Sequence, residues 1–133
     1  MRLRVIKGLS RNQIRANEYY TAVDLQACYD LLLKKQKETE NHIDRIRIIY
    51  PKGIAPKVAK TAYDERKKDR DAEVKRANAF LECIERAFIR LRDGNYGICV
   101  ATGQKISEVR LLASPVATMT IPSKIRSKMQ IIV

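Results

Sequence analysis

The chain has 133 residues, a formal net charge of +12, 45% hydrophobic and 6% aromatic residues, and no Trp. That is enough apolar content for one folded domain and too few aromatics for a large globular core. No apolar run approaches the ~18 residues of a membrane span. The start MRLRVIKGLSRN lacks the apolar stretch of a secretory signal. Cys28, Cys83 and Cys99 are too far apart and odd in number for a disulfide framework, which points to a reducing cytoplasm.

The first seven residues alternate apolar and basic, a weak strand signal, and GLSRNQ reads as a turn. Thr21-Ala-Val-Asp24 is a capping pattern ahead of an apolar run. Leu25, Cys28, Leu32, Ile43, Ile46 and Ile49 then fall at coiled-coil spacing, predicting a helix over 22–49. YPKGIAP breaks it. Val74, Ala77, Leu81, Ile84, Phe88 and Leu91 form a heptad seam, predicting a second helix over 58–92 that Asp93-Gly94 ends. Joined by a short turn, the two helices should pack antiparallel, with Leu25 and Leu32 near Phe88 and Leu91. The fold class is therefore mainly α: a long two-helix coiled-coil hairpin carrying a small, turn-rich knob at its base. Its expected divisions are a basic N-terminal arm (1–17), the hairpin (18–93, tip about 50–61) and the knob with a short basic tail (94–133). For the tail, KIRSKMQIIV, a final helical turn and a strand both remain open.

Charge concentrates at the ends. Residues 1–17 hold five basic groups and no acid, and residues 109–133 hold four and no acid. A polyanionic partner and a solvated basic surface both fit this pattern. Enzyme constellations are missing: the one histidine, His42, sits in a polar helical stretch, and no nucleotide-loop, nucleophile-elbow or HExxH pattern occurs. Cys28 and Cys83 read as small apolar seam residues. Cys99 differs. GNYGICVATGQ (94–104) has the turn chemistry of a zinc knuckle, yet three residues on from Cys99 stands Thr102, and the second knuckle would fall at Thr120 and Ser123. One thiolate and three hydroxyls cannot hold zinc. No metal is expected, and packing of Ile98, Val100, Ile106 and Leu111 is expected to hold the turn instead.

Residues 86–123, RAFIRLRDGNYGICVATGQKISEVRLLASPVATMTIPS, resemble the C-terminal zinc-finger region of the DksA/TraR family of bacterial transcription regulators. Asp93, Gly94, Tyr96, Gly97, Cys99, Gly103, Ile106, Arg110, Leu111, Ala113, Pro115 and Ala117 carry the likeness. It runs back to PKVAKTA (56–62) and more weakly through 18–33. The resemblance implies a hairpin on a knob that binds RNA polymerase and not DNA. It implies that the hairpin enters the polymerase's secondary channel, with its tip reaching toward the active centre, often together with ppGpp. Cys99, Thr102, Thr120 and Ser123 match the family's four zinc positions, and zinc-less versions are similar to this sequence.

Three departures accompany the likeness. The family's paired tip aspartates and following alanine correspond to Pro56, Ala59 and Thr61. No acid lies between Asp44 and Asp64, while Lys52, Lys57 and Lys60 do, so the tip is basic. A reversed sign cannot preserve the same contacts. Two of the basic positions that hold ppGpp correspond to Cys83 and Ser114, and only Lys124 keeps its charge, which argues against the alarmone as a cofactor. The C-terminal helix is shorter, with ten residues after Ser123. The expected polymerase-facing set is the tip (Lys52, Pro56, Lys57, Ala59, Lys60, Thr61), with Arg76, Arg110 and Lys124 as flank and base contacts. Two other functions stay open: a nucleic-acid-binding module using the basic termini, and an interaction role unconnected to transcription.

Overall fold

The computed structural model describes residues 13–49 and 60–132. Four helices follow in order: α1 (Ala22–Ile49), α2 (Lys60–Asp93), α3 (Glu108–Ala113) and α4 (Ile121–Ile132). The described residues form no strand beyond one antiparallel bridge, Ile98 with Lys105. The expected strand at 1–7 and the tip loop at 50–59 lie outside the described residues.

Helix α1 begins where the capping pattern places it. Thr21 N–H donates to Asp24 Oδ2 at 3.1 Å, and Asp24 N–H donates to Thr21 Oγ1 at 3.2 Å. Two orphan backbone donors are thereby satisfied, a device worth about 1 kcal/mol. Helix α2 ends at Gly94, whose φ of 82° lets the Asn95 N–H turn back to the Arg90 carbonyl at 2.9 Å.

The two helices pack along the predicted seams. Leu25, Cys28, Tyr29, Leu32, Ile43 and Ile46 on α1 are buried, as are Ala77, Leu81, Ile84, Ala87, Phe88 and Leu91 on α2. Each fully buried Leu or Ile contributes roughly 1.5–3 kcal/mol of transfer free energy. Tyr29 meets the Phe88 ring edge-on, with centroids 5.7 Å apart. Thirteen residues further along α1, His42 meets Glu73, fifteen residues back along α2. That antiparallel register puts Leu25 level with Leu91, as expected, and Leu32 level with Ile84, about one turn from Phe88. Cys83 departs from the seam as well. It is half-buried, with Arg86 Nη1 4.0 Å from its sulfur.

The seam turns polar toward the middle of the rod. Gln36 is 8% exposed, and its Nε2 has no hydrogen-bond partner among the described residues. Thr39 Oγ1 donates back to the Lys35 carbonyl at 2.7 Å. Apolar contact is therefore concentrated at the base, where the knob continues the core through Tyr96, Cys99, Ile106 and Leu111.

The segment before α1 is part of that base. Ile14 is buried. Arg15 N–H donates to the Leu91 carbonyl at 2.9 Å, and Asn17 Nδ2 donates to the Tyr96 carbonyl at 2.8 Å. Asn17 Oδ1 accepts from the Tyr19 and Tyr20 N–H groups and makes the turn into α1. The tail is a three-turn helix, α4, rather than a single turn or a strand. Thr120 Oγ1 accepts from Ser123 N–H at its start, and Lys124 N–H bonds the Thr120 carbonyl at 3.0 Å.

Candidate functional site: the knob and its knuckle

The knob is organised by two tyrosines. The Tyr96 hydroxyl donates to the Pro115 carbonyl at 2.7 Å, and the Tyr20 hydroxyl donates to the Ile106 carbonyl. Burial pushes both phenols up, so both remain donors at ordinary pH. Gly97 has a φ of 80°, and a Cβ there would lie 2.7 Å from the Tyr20 ring. Only glycine admits both that backbone and that ring. Lys105 Nζ stands over the Tyr20 ring, 4.9 Å from its centroid, a cation–π contact.

The first knuckle closes through three backbone bonds: Cys99 N–H to the Gln104 carbonyl, Gly103 N–H to the Cys99 carbonyl, and Ile106 N–H to the Gly97 carbonyl, all 2.8–2.9 Å. Val100 N–H joins it to the second turn through the Thr118 carbonyl at 2.9 Å. The four predicted zinc positions converge here. Cys99 is 2% exposed and Ser123 is 3% exposed, with Thr120 half-buried and Thr102 at the surface. The Thr120 and Ser123 hydroxyls are 2.9 Å apart.

The convergence does not fit zinc. Three of the four positions offer hydroxyls: those of Thr102 and Ser123 turn toward the sulfur, and that of Thr120 turns to Ser123 Oγ. Burial works to push the Cys99 thiol up. The Thr102 and Ser123 hydroxyls, with the N–H groups of Thr120 and Ala101, outweigh it and bring the thiol down to about 6. These four protein donors all favour the thiolate form of Cys99. Cys28 shows the opposite case: burial pushes its thiol up, against a hydrogen bond with Tyr96. Among the described residues no group of His, Cys, Asp or Glu could hold a metal ion. The expected packing also needs correction. Ile106 and Leu111 are fully buried, but Val100 is 56% exposed, and the centre of the turn is polar.

The basic residues expected to contact a partner are dispersed. Arg76 is exposed on α2 beside a shallow groove floored by Ala77 and Phe80. It stands about 25 Å along the helix from Asp93. Arg110 is half-buried, and its Nε donates to the Met119 carbonyl at 2.8 Å, so it braces α3 to the turn before α4. Lys124 is exposed in the first turn of α4. Lys60 and Thr61 begin α2, while Lys52, Pro56, Lys57 and Ala59 fall outside the described residues. His42, expected to be solvated, has Nε2 2.8 Å from Glu73 Oε1, with both side chains partly exposed. Asn17, Tyr19 and Tyr20 were not singled out as site residues. An Asn ahead of two tyrosines just before a capping box was the available signal.

No family profile matches the chain. It is 35% identical over 91 residues to the RNA polymerase-binding transcription factor DksA of Caulobacter vibrioides, a match spanning 68% of this chain and 56% of that one. A search of solved structures pairs the chain with transcription factor DksA2 from Pseudomonas aeruginosa, at a TM-score of 0.75 over 98% of both chains and 23% identity. The chain belongs to a DksA-like family. A shorter match, 46% identical over 44 residues, links it to General stress protein 16O of Bacillus subtilis, covering 33% of this chain and 27% of that one. The matches span little more than half of the Caulobacter relative and about a quarter of the Bacillus one. Its hairpin and knob are the DksA2 architecture, with the four knuckle positions filled by one thiol and three hydroxyls.

Proposed function

We propose that this DksA-like chain is a non-enzymatic transcription regulator that binds bacterial RNA polymerase in the cytoplasm. The observation that carries this reading is the likeness along nearly the whole chain to a DksA2 structure, joined to 35% identity with a polymerase-binding DksA. On this reading the hairpin enters the secondary channel, and loop 50–61 decides the effect on initiation. Arg76, Arg110 and Lys124 lie on the flank and base that would face the enzyme. Zinc and ppGpp take no part. No helix among the described residues is long and apolar enough to cross a membrane.

The basic tip sets this chain apart. Lys52, Lys57 and Lys60 occupy a stretch with no acid between Asp44 and Asp64. An acidic tip and a basic tip cannot stabilise the same partner groups, so the transcriptional outcome should differ from that of acidic-tipped members. Transcription with purified polymerase tests this, comparing the intact chain with P56D/A59D. The expected result is a change of promoter response in the intact chain that P56D/A59D alters or reverses. Identical transcription with and without either protein would contradict it.

The net charge of +12 favours nucleic acid as the second reading. It predicts affinity for DNA or RNA falling steeply with salt, and undetectable binding at low salt would end it.

A further inference from the structure

Helix α4 is folded with its polar side inward. Ser123 is buried and Ser127 half-buried, the latter with its hydroxyl 3.9 Å from the Met119 sulfur. Ile121 and Ile125, one turn apart, are 54% and 53% exposed. A surface helix ordinarily turns such a pair toward the core. Here the core side is occupied by the donors that surround Cys99, so the isoleucines are left to the solvent.

The same imbalance extends over the knob. Five of the seven large apolar side chains that stand exposed among the described residues lie between Val100 and Ile125. The knob has a buried interior of its own, Tyr96, Cys99, Ile106 and Leu111, beside these exposed groups. Exposed apolar groups gathered on one small unit mark an interaction surface.

Charge chooses the occupant. On a helix of 3.6 residues per turn, the cations Lys124 and Lys128 border the Ile121–Ile125 pair on one side, while the cation Arg126 lies about 100° round from Ile125, beyond Pro122. All three are exposed. From Gly94 to Val133 there are five basic residues and one acid, Glu108. A second copy of the chain meeting this face α4 to α4 would set like charges together. The N-terminal segment, with Arg2, Arg4 and Lys7, carries the same sign. Nucleic acid would use the cations, but the isoleucines offer no base-stacking surface. A bilayer would gain little from a 12-residue helix without an aromatic residue. An acidic protein surface with an apolar groove uses both features at once.

We propose that the outer face of α4 docks in an apolar groove with an acidic rim on a partner protein, Ile121 and Ile125 filling the groove and Lys124 and Lys128 meeting the rim. This does not depend on the polymerase reading, because the partner is defined by its chemistry alone.

A photo-cross-linking residue placed at position 121 or 125 of the full chain, in the cells that make it, tests the docking. A control carries it at Asn78, exposed on α2. Adducts from 121 and 125 should map to one protein segment rich in Asp and Glu, and those from 78 should not. A synthetic peptide of that segment should bind the purified chain, with I125D and K124E/K128E each weakening it at least tenfold. Unchanged melting temperatures would show that the variants fold. Vesicles of 30% phosphatidylglycerol in phosphatidylcholine should leave the chain in solution. Absent adducts, adducts on lipid, nucleic acid or another copy of this chain, a segment without acidic excess, or variants that bind the peptide like the parent would each overturn the proposal.

Discussion

The Thr120 and Ser123 hydroxyls lie 2.9 Å apart at the start of α4, and the Ser123 hydroxyl and the Thr120 N–H both donate to the Cys99 sulfur. Where a metal-bound relative would join two knuckles through zinc, this chain joins them through a sulfur and its donors. The bond network reaches from Ala101 and Thr102 in the first turn to Thr120 and Ser123 in the second.

That arrangement makes the knob sensitive to pH. Burial raises the Cys99 thiol and the surrounding donors lower it further, to about 6 from an unfolded value near 9. A depressed folded value stabilises the fold fully above the unfolded value, and the contribution is lost as pH falls through the folded value. The melting temperature should therefore fall as pH drops from 9 toward 6, with thiolate absorbance near 240 nm lost at about pH 6. Cys99→Ser should flatten the Cys99 part of this slope. Equal slopes in the two proteins, with no thiolate signal at pH 7.5, would refute the thiolate.

Supplying the missing sulfurs should recover the metal. T102C/T120C/S123C places four thiols on positions that already converge, and should bind one zinc per chain with a higher melting temperature. The parent should melt at the same temperature with and without chelator. A triple variant that takes up no zinc would mean that the four positions do not meet as described.

Gly97 is the backbone position least able to change. Gly97→Ala forces a left-handed conformation on alanine and drives its Cβ to 2.7 Å from the Tyr20 ring. That ring is anchored by its bond to the Ile106 carbonyl and cannot swing away freely. Denaturant unfolding should show a loss of at least about 2 kcal/mol. A cost below about 0.5 kcal/mol would show that the close approach is absent.

Gln36 offers the converse. Its buried Nε2 lacks a partner among the described residues, and a buried unsatisfied donor costs ~1–3 kcal/mol. Gln36→Leu keeps the size and removes the polar group, so it should stabilise the hairpin by about 1 kcal/mol in the same measurement. Destabilisation would show that the amide is satisfied in solution.

The seams were legible because Leu25 to Ile46 and Ala77 to Leu91 repeat at a period that only paired helices produce. Thr21 and Asp24 announced the first start, and Asp93-Gly94 the second stop. The register followed from the short connection: Leu25 falls level with Leu91, and Leu32 falls level with Ile84, one turn from Phe88. Helix α4 was only half legible: a final helical turn and a strand both stayed open for KIRSKMQIIV, and the capping Thr120 and the first residues of the helix precede that stretch. The base segment at 13–20 escaped because Ile14 and Asn17 act through single long-range contacts with no periodicity. The donors around Cys99 come from two turns some twenty residues apart, and only the folded chain brings them together.

Direct binding of the purified chain to purified bacterial RNA polymerase, followed by co-sedimentation at physiological salt, tests the DksA-like function most directly. A saturable one-to-one complex that persists after nuclease treatment is the predicted result. A folded chain that fails to co-sediment with polymerase, or does so only while nucleic acid is present, would contradict it.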